Sequence, residues 1–556
     1  MRVNSVSSNF ESHVLSAARR FVRTAVVIDD DIEAPALDLG KKSQPTTIVA
    51  PKPRFGASSA AKTLTGSPTE ARAQPLEQAR KRADASEVAL KPLADAFLDR
   101  QIVCGVLKPM KDDKKDDIIK RAVEAAAIAD VLIIDWYLRA GDASFAKSIL
   151  ATVLERDKEL QGRLRLVIVY TSAAPLAERR KDLKDALEER GFKVRASADE
   201  MALQVDTCRI RFVEKAFANV GVGVADLPDL AIREFAQQAQ GLLSAFTLSG
   251  IAALREATHH LLATFGKKFD PAFVGHRMLI SDPEDAYGFA MNVLMLQIRG
   301  VLSLPHLLGS SLRDDQITDW FDARFGYDDA EGELKKLNVN KDDLRATVLA
   351  GSYKGAAMHT ALFLPGSSGK ATAVEKDVSA DFARLTTFVR EYRGFNPLPK
   401  DWLPTLTLGS VVRKRTPKSG ARYFLCIQPA CDTVRIDEPR YFPFVELSKE
   451  TQKSDSWLIV QDGKTRQVLR VDGKAGARHY DRFVPDETSK TVRAVEKFRA
   501  GKSTGFFFVN EDDVGYQWMG DVDGAKAQKI AVDLAAGLAR VGLDEYEWLR
   551  RGAKAK

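Results

Sequence analysis

The stretch Val131-Leu-Ile-Ile-Asp135 decides how the N-terminal part of this chain folds. It is a continuous apolar run that ends in an acid, and Ala-rich and polar helical patterns flank it on both sides. Similar runs recur nearby, at Thr24–Ile28, Ile102–Leu107, Leu164–Thr171 and Arg209–Lys215. Near-continuous apolar strands that alternate with helices are typical of a parallel sheet covered on both faces. We therefore predict a doubly wound α/β fold with a five-stranded parallel sheet in this region.

The composition of the 556-residue chain excludes several classes of protein. Apolar residues make up 45% and charged residues 29%, which are ordinary values for soluble globular proteins. No apolar run approaches the ~18–20 residues that span a bilayer, and the N-terminus lacks the pattern of a secretory signal. The four cysteines predict free thiols in a cytoplasmic protein. With 83 Lys+Arg against 76 Asp+Glu, the net charge of +7 does not indicate a nucleic-acid-binding protein.

Hydrophobic periodicity and turn residues divide the chain into five predicted regions. They are an N-terminal helix at 1–23, an α/β domain at 24–222 with a flexible insertion at 32–85, a helical domain at 225–310, a mixed helical connector at 311–400, and a β-rich module with a terminal helix at 401–556. The insertion has few large apolar residues, so it cannot bury enough surface to offset the entropy of ordering. Short apolar runs between turn residues predict a small antiparallel barrel or sandwich in the last region.

Polar residues follow the predicted strands at the edge where ligands bind in doubly wound sheets. These residues are the acids Asp29, Asp30, Asp31 and Asp135, the hydroxyl residue Thr171 and the amine Lys215. Several adjacent carboxylates repel one another and need a cation at neutral pH. Hard oxygen ligands at this density suit Mg²⁺ better than zinc. A lysine and a hydroxyl opposite them favour an incoming anion, most naturally a phosphoryl group.

In chain order, these residues resemble the receiver domain of two-component response regulators, over about residues 20–220. The resemblance is carried by Ile28-Asp29-Asp30, Asp-Val-Leu-Ile-Ile-Asp135, Val-Tyr-Thr171 and Phe-Val-Glu-Lys215. It implies the receiver fold, with phosphorylation of the aspartate that ends the third strand and with Mg²⁺ as the cofactor.

The same resemblance implies a role for each residue of the site. Asp135 is the expected phosphoacceptor, and the expected Mg²⁺ ligands are Asp29, Asp30, Asp135 and the backbone carbonyl of Tyr137. The expected contacts of the phosphoryl group are Thr171 and Lys215, and the expected aromatic switch residue is Phe212. A carboxylate would attack the phosphoryl group in line while Mg²⁺ and the lysine stabilise the spread charge.

The chain departs from the receiver pattern in several places. Ala216 follows the lysine where the family usually has proline. Residues 32–85 are inserted after the first strand, and Phe192–Cys208 are extra residues before the last one. Because three aspartates are consecutive, a shift of one residue would make Asp30 and Asp31 the metal-binding pair.

A second resemblance concerns the role of the whole chain. The inserted receiver, followed by Arg255-Glu-Ala-Thr-His-His260, is similar to receiver proteins of bacterial antiphage systems of the Detocs type. This implies a phosphoacceptor that a sensor histidine kinase phosphorylates and that acts as a phosphate buffer or adaptor for a downstream effector protein. Any enzymatic activity would be limited to slow self-dephosphorylation. No membrane or nucleic-acid partner is implied, and a homodimer is left open.

Two other functions stay open on the sequence alone. One is an effector enzyme, gated by the receiver, with its active site within residues 330–556. The other is a transcription regulator, although residues 225–300 show neither a helix-turn-helix nor a basic stripe. The sequence contains no P-loop, no GxGxxG after a strand and no HExxH motif.

Several reactive residues lie outside the predicted site. His259 and His260 are candidates for phosphotransfer, although a histidine pair on an amphipathic helix more often lies at the surface or in a core. Cys431 with His479 as its base is a candidate nucleophile, although packed or loop cysteines are the commoner case. The basic residues of the insertion are interpreted as a solubilising linker, and Phe506-Phe507-Phe508 as a core strand.

Overall fold

The computed structural model divides the chain into two compact units. The first comprises Met1–Val274 with Tyr287–Ala330, and the second comprises Gly275–Ala286 with Glu331–Lys556. The residues that the structure describes are 8–33, 88–110, 112–138, 142–160, 162–196, 199–216, 220–279, 285–303, 312–325, 340–350, 380–392, 394, 398, 402–416, 420–449, 457–463, 465–471, 478–499 and 501–538.

The first unit is built on a seven-stranded sheet. The strands of this unit are β1 (Thr24–Ile28), β2 (Ile32–Glu33), β3 (Val88–Ala89), β4 (Val103–Leu107), β5 (Val131–Ile134), β6 (Arg165–Thr171), β7 (Val194–Ala196), β8 (Ala202–Val205) and β9 (Cys208–Glu214). Within the sheet, β4, β1, β5, β6 and β9 are parallel neighbours in that order. Strands β8 and β7 continue it antiparallel beyond β9. The mixed α/β architecture with a mainly parallel sheet is the expected one.

The number of strands differs from the prediction, because five strands were expected and the sheet has seven. The additional strands β7 and β8 lie within the extra segment Phe192–Cys208. Their apolar residues are few and interrupted by polar ones, as in Val194-Arg-Ala196, so no continuous apolar run marks them in the sequence. Their pairing extends the sheet beyond the strand that leads to Lys215.

Helices cover both faces of this sheet. The helices up to residue 325 are α1 (Ser8–Phe21), α2 (Leu90–Leu98), α3 (Lys115–Ile128), α4 (Ser144–Glu159), α5 (Leu176–Glu189), α6 (Leu227–Gln238), α7 (Leu242–Thr264), α8 (Asp270–Leu279), α9 (Asp285–Leu302) and α10 (Asp314–Phe325). On one face α3, α4 and α5 pack Ile118, Ile149 and Leu183 against Leu132 and Val169 of the sheet. Within the described part of the chain, no helix is both long and apolar enough to cross a membrane.

On the opposite face, α1, α2, α6 and α7 share a second core with the sheet. Phe10, Phe97, Phe235 and Leu248 represent the four helices in this core, and Ile133 of β5 lies among them. The predicted boundary at residues 222–225 therefore does not coincide with a break in the hydrophobic core. An apolar stripe in the sequence shows that a helix is packed, but not which element it packs against.

A buried carboxylate ties α7 to the edge of the sheet where the strands begin. Asp130 is 6% exposed and accepts the backbone N–H groups of Arg23 and Thr24 at 2.9 and 3.1 Å. Arg255 of α7 donates to both of its oxygens, at 2.9 and 3.1 Å. Because hydrogen bonds to a charged acceptor are stronger than neutral ones, Asp130 fixes this helix to the N-terminal edge of the sheet.

The predicted flexible insertion begins in a short two-stranded sheet. Ile32–Glu33 pair in parallel with Val88–Ala89, and the Lys108 ammonium donates to the Ile32 carbonyl at 2.7 Å. Residues 34–87, with the basic residues singled out in the sequence, lie outside the described residues.

The second unit is built on a ten-stranded antiparallel sheet. Its strands are β10 (Phe388–Glu391), β11 (Ser410–Thr416), β12 (Gly420–Cys426), β13 (Arg440–Lys449), β14 (Trp457–Asp462), β15 (Thr465–Val471), β16 (Arg478–Phe483), β17 (Val495–Arg499), β18 (Lys502–Val509) and β19 (Gly515–Val522). The order is β14-β15-β13-β12-β11-β19-β18-β17, with β10 paired to β19 and β16 to β13. Helices α11 (Lys341–Ala350) and α12 (Gly524–Leu538) precede and follow these strands in the chain.

Both faces of this second sheet carry a hydrophobic core. Successive residues of β12 point to opposite faces, so that Phe424 lies in one core and Leu425 in the other. A bridge between Phe483 of β16 and Asn510 brings β16 close to the end of β18. The sheet therefore curls around the aromatic core as a half-barrel, which agrees with the expected β-rich module.

Several details of this module differ from the sequence pattern. The pattern at Thr433–Ile436 predicts a strand, but the chain forms a 3₁₀ turn at Ala430–Thr433, so this prediction is wrong. The sequence pattern did not predict strands β10, β13, β16, β17 and β19. In β13, Pro443 interrupts the apolar residues. Phe506 and Phe508 are buried at 7% and 0% exposure, as expected for a core strand.

Replacing Asp130 by Ala is expected to lower the free energy of unfolding by about 2–4 kcal/mol, because the buried backbone donors of Arg23 and Thr24 lose their acceptor. The matched control is Asp95→Ala, which removes an exposed i,i+4 pair with Lys91 and should leave stability unchanged. Scanning calorimetry of the full chain measures both variants. A wild-type transition temperature for Asp130→Ala would show that this carboxylate does not hold the helix.

Candidate functional site

The parallel register places the predicted site residues at one edge of the first sheet. The backbone N–H of Asp135 donates to the Ile28 carbonyl of β1 at 2.9 Å. The N–H of Lys215 donates to the Thr171 carbonyl of β6 at 3.0 Å. Asp135 and Lys215 therefore continue the ladder at the carboxyl ends of their strands, where doubly wound sheets bind ligands.

Four carboxylates converge at this edge. Asp29, Asp30, Asp31 and Asp135 each place one carboxylate oxygen within 4.8 Å of the others. Asp29 and Asp135 are almost fully buried, at 1% and 5% exposure. Such a set of hard, negatively charged oxygens fits a divalent cation of the Mg²⁺ type. All three consecutive aspartates belong to the group, so it contains both pairs considered from the sequence, Asp29–Asp30 and Asp30–Asp31.

Lys215 joins the two buried carboxylates. Its ammonium lies 2.8 Å from Oδ2 of Asp29 and 3.3 Å from Oδ2 of Asp135. The lysine side chain is itself 3% exposed. Burial opposes its charge, but the two carboxylates outweigh burial and hold the pKa of Lys215 above its usual value. The side chain is therefore a fixed positive charge at the centre of the site.

The second oxygen of each buried carboxylate is held by backbone. The N–H of Trp136 donates to Oδ1 of Asp135 at 2.6 Å, and the N–H of Asp31 donates to Oδ1 of Asp29 at 2.8 Å. Both carboxylates therefore have one oxygen on the backbone and the other on Lys215. This double attachment fixes their orientation before any ligand binds.

One ammonium does not balance the negative charge of the cluster. Burial raises the pKa of Asp29 from 3.8 to about 6. The Lys215 ammonium lowers this pKa, and the neighbouring Asp135 carboxylate raises it, but burial has the largest effect. Since the folded chain holds this proton more tightly than the unfolded chain, the Asp29 carboxyl contributes stability below pH 3.8 that is lost as the pH rises through about 6. At neutral pH the site therefore contains excess buried negative charge.

The remaining predicted residues border this cluster. Thr171 is 1% exposed, and its hydroxyl oxygen accepts the N–H of Ala173 at 3.2 Å. Phe212 is also 1% exposed and packs against Trp136 with 6.2 Å between the ring centroids. The ring of Tyr137 lies 5.9 Å from the Arg179 guanidinium carbon. The predicted switch residue thus contacts the residue that follows the phosphoacceptor candidate.

Ala216, which stands where the receiver pattern usually has proline, donates a backbone hydrogen bond. The N–H of Ala216 donates to the Val222 carbonyl at 3.0 Å, and the N–H of Val222 donates to the Glu214 carbonyl at 2.8 Å. Proline has no N–H and would not make the first of these bonds. The alanine therefore allows the chain to fold back on the end of β9.

Sequence reasoning missed Tyr170, which stands beside the site on β6. Its hydroxyl donates to the Val222 carbonyl at 2.8 Å, and its ring centroid lies 5.8 Å from the Lys215 ammonium. Burial raises the pKa of Tyr170 from 10.0 to about 12, so the hydroxyl keeps its proton. Only its position directly before Thr171 could have drawn attention to it.

The histidine candidates lie away from this edge. His259 and His260 are exposed on α7, the helix whose Arg255 contacts Asp130. Asp130 precedes β5 whereas Asp135 follows it, so the two acids mark opposite ends of a strand. The structure does not bring the histidines to Asp135.

The candidate pair of Cys431 and His479 is likewise not formed. Cys431 is exposed and its sulfur lies 3.5 Å from Oδ1 of the neighbouring Asp432. Nε2 of His479 instead lies 2.8 Å from the Tyr516 hydroxyl and 3.6 Å from Oδ2 of Asp481. All four cysteines of the chain are free thiols.

A second polar cluster in the half-barrel was not predicted. The Tyr516 hydroxyl donates to Asp481 and accepts the Lys414 ammonium at 2.6 Å, and it also contacts His479. Asn510 donates to the other oxygen of Asp481 at 2.8 Å. These groups are partners for one another and form a side-chain hydrogen-bond network.

Comparison with known proteins agrees with the geometry of the first unit. Residues 21–219 match the family model of the response receiver domain. No curated protein and no solved structure matches the chain significantly. The match supports a response-regulator receiver domain in this part of the chain, and it ends before α6.

Asp135→Asn is expected to raise the transition temperature of the full chain in EDTA at neutral pH. The amide oxygen keeps accepting the N–H of Trp136, and the substitution removes one of the four carboxylates that repel one another. Lys215 keeps Asp29 as its partner. The expected gain is about 1 kcal/mol. Scanning calorimetry of both proteins measures it, and a lower transition temperature for the variant would contradict the excess of negative charge.

Proposed function

We propose that this chain is a response-regulator-like phosphoacceptor, in which Asp135 receives a phosphoryl group. The observation that carries this proposal is the contact of the Lys215 ammonium with both Asp29 and Asp135, at 2.8 and 3.3 Å, in a buried acidic cluster. A nucleophilic carboxylate, a cation site and a fixed positive charge are the parts that phosphoryl transfer to an aspartate requires.

The residues of the chain have separate roles in the proposed transfer. A carboxylate oxygen of Asp135 attacks the phosphorus in line, an O–P bond forms, and the P–N bond to a kinase phosphohistidine breaks. The histidine nitrogen then takes up a proton. Lys215 moves its hydrogen bond from the Asp135 carboxylate to a phosphoryl oxygen, and the Thr171 hydroxyl donates to another. Mg²⁺ held by Asp29, Asp30, Asp135 and the Tyr137 carbonyl would neutralise charge on the phosphoryl oxygens.

The wider role of the chain is proposed on the Detocs-type resemblance. A sensor histidine kinase would phosphorylate Asp135, and the chain would act as a phosphate buffer or adaptor for an effector protein in bacterial antiphage defence. Within the resembling motif, Arg255 pairs with Asp130 and Glu256 pairs with Arg20. Both salt bridges lie within the first unit. We therefore propose that this motif has a structural function.

The phosphoacceptor is favoured over an effector enzyme with its active site in residues 330–556. Such an enzyme needs titratable groups that converge on a space for a substrate. In the described part of the half-barrel, the convergent groups at Tyr516 hydrogen-bond to one another, whereas the cluster at Asp135 has excess charge that an external cation would offset.

Incubation with Mg²⁺ and phosphoramidate, read by intact mass, is expected to add one phosphoryl group to the wild-type chain and none to Asp135→Asn. The reason is that the amide is not a nucleophile for phosphorus. Asp95→Asn, a change on α2 away from the cluster, serves as control and should label like the wild type. EDTA should suppress the labelling of the wild type and of Asp95→Asn. Label that persists in Asp135→Asn would show that another residue is the acceptor.

A further inference from the structure

Tyr170 connects the site to the loop that follows Lys215. The next residue, Thr171, ends β6 at the acidic cluster, whereas the Tyr170 side chain lies in the core on the other face, among residues of α1, α2 and α6. Tyr170 is 3% exposed. Its hydroxyl is thus the polar end of a buried side chain, and a buried hydroxyl needs a hydrogen-bond partner.

That partner is the carbonyl of Val222, which also receives the N–H of Ala216. The two donors lie 2.8 Å (Tyr170 hydroxyl) and 3.0 Å (Ala216 nitrogen) from the same oxygen. A carbonyl oxygen has two lone pairs, so both are used. The Val222 carbonyl is therefore the point at which β6, the end of β9 and the returning loop are joined.

Gly221 lies close to the backbone of Lys215. It has a φ of +91°, and a Cβ at this position would lie 2.7 Å from the Lys215 carbonyl oxygen. Glycine is the residue that tolerates both this dihedral and this approach. Because Gly221 lies so close, a shift of its neighbour Val222 would displace the backbone that carries the Lys215 side chain.

The Tyr170 ring also faces the charge of Lys215. The ammonium lies 5.8 Å from the ring centroid, which is within the range of a cation–π interaction. The ammonium of Lys215 therefore has the aromatic ring as a neighbour in addition to the carboxylates of Asp29 and Asp135.

We propose that Tyr170 is a positioning residue for Lys215, which it holds through the Val222 carbonyl and through its ring. This inference rests on the proposed function, since the lysine is the group that stabilises the transferred phosphoryl group. During transfer the Lys215 ammonium replaces its hydrogen bond to the Asp135 carboxylate by one to a phosphoryl oxygen, while the lysine backbone stays in place. Tyr170 fixes that backbone, so the ammonium reaches the new oxygen without rearrangement of the loop.

The test is Tyr170→Phe, which removes the hydroxyl and keeps the ring. The rate of phosphoryl uptake from phosphoramidate should fall about fivefold, as expected for the loss of one neutral hydrogen bond. The Mg²⁺ dissociation constant from calorimetric titration should stay unchanged, because the hydroxyl contacts no carboxylate of the cluster. Hydrogen–deuterium exchange should become faster in the peptide that spans residues 214–222.

A double-mutant cycle separates positioning from a general structural effect. In the Lys215→Ala background, Tyr170→Phe should change the slow residual rate by less than about twofold, since the lysine that it positions is gone. The matched control is Tyr423→Phe, which removes a hydroxyl that donates to Asp462 at 2.7 Å in the second unit. This control should label at the wild-type rate.

The outcomes distinguish the inference from the proposed function. If the wild-type chain takes up no phosphoryl group on Asp135, the proposed function fails and the inference falls with it. If the wild type is labelled but Tyr170→Phe is labelled equally fast, the inference alone is overturned. An equal loss of rate in the wild-type and Lys215→Ala backgrounds would also overturn it, because the effect would then not pass through the lysine.

Discussion

The contact of one buried ammonium with two buried carboxylates is the constraint on which the first unit depends. Asp29 and Asp135 follow neighbouring parallel strands, and Lys215 follows a third strand two places further along the sheet. The register of the parallel strands places these charges side by side. The acids of the cluster outnumber the amine, so the pairing is incomplete, and several adjacent carboxylates repel one another.

The two edges of the sheet serve different purposes. The edge at the ends of the strands carries the acidic cluster and Lys215, whereas the edge at their beginnings carries Asp130 and its hydrogen bonds to Arg255. Helices α6 and α7 pack in the hydrophobic core on one face of the sheet. The part of the chain that continues toward the second unit is therefore attached to the receiver fold by packing and by a buried charge, and not only by the covalent link after β9.

The sequence indicated the parallel strands and the site better than it indicated the packing around them. Apolar runs that end in acids have a direct physical meaning, because such strands are buried on both faces and their ends share one edge. Strands β7 and β8 gave no such signal, because polar residues interrupt their short apolar stretches. The place of Phe235 in the core of the sheet could not be derived either, since an amphipathic helix does not specify its partner.

The same limit applies to the fine structure of the site. The residue types predicted that Asp29, Asp135 and Lys215 would meet, but not that backbone N–H groups would hold both carboxylates. The role of Tyr170 depends on a loop that returns to the end of β9, and the return depends on Gly221 and Ala216. Such local backbone contacts leave no periodic pattern in a sequence.

The paired strands Ile32–Glu33 and Val88–Ala89 have a consequence for how this domain tolerates change. They pair Ile32 with Val88 and Glu33 with Ala89, directly after the acids that follow β1. Two positions that are far apart in the sequence are thereby held at a fixed spacing beside the acidic cluster. A change in the length of sequence between them is expected to leave the distances among Asp29, Asp135 and Lys215 unchanged.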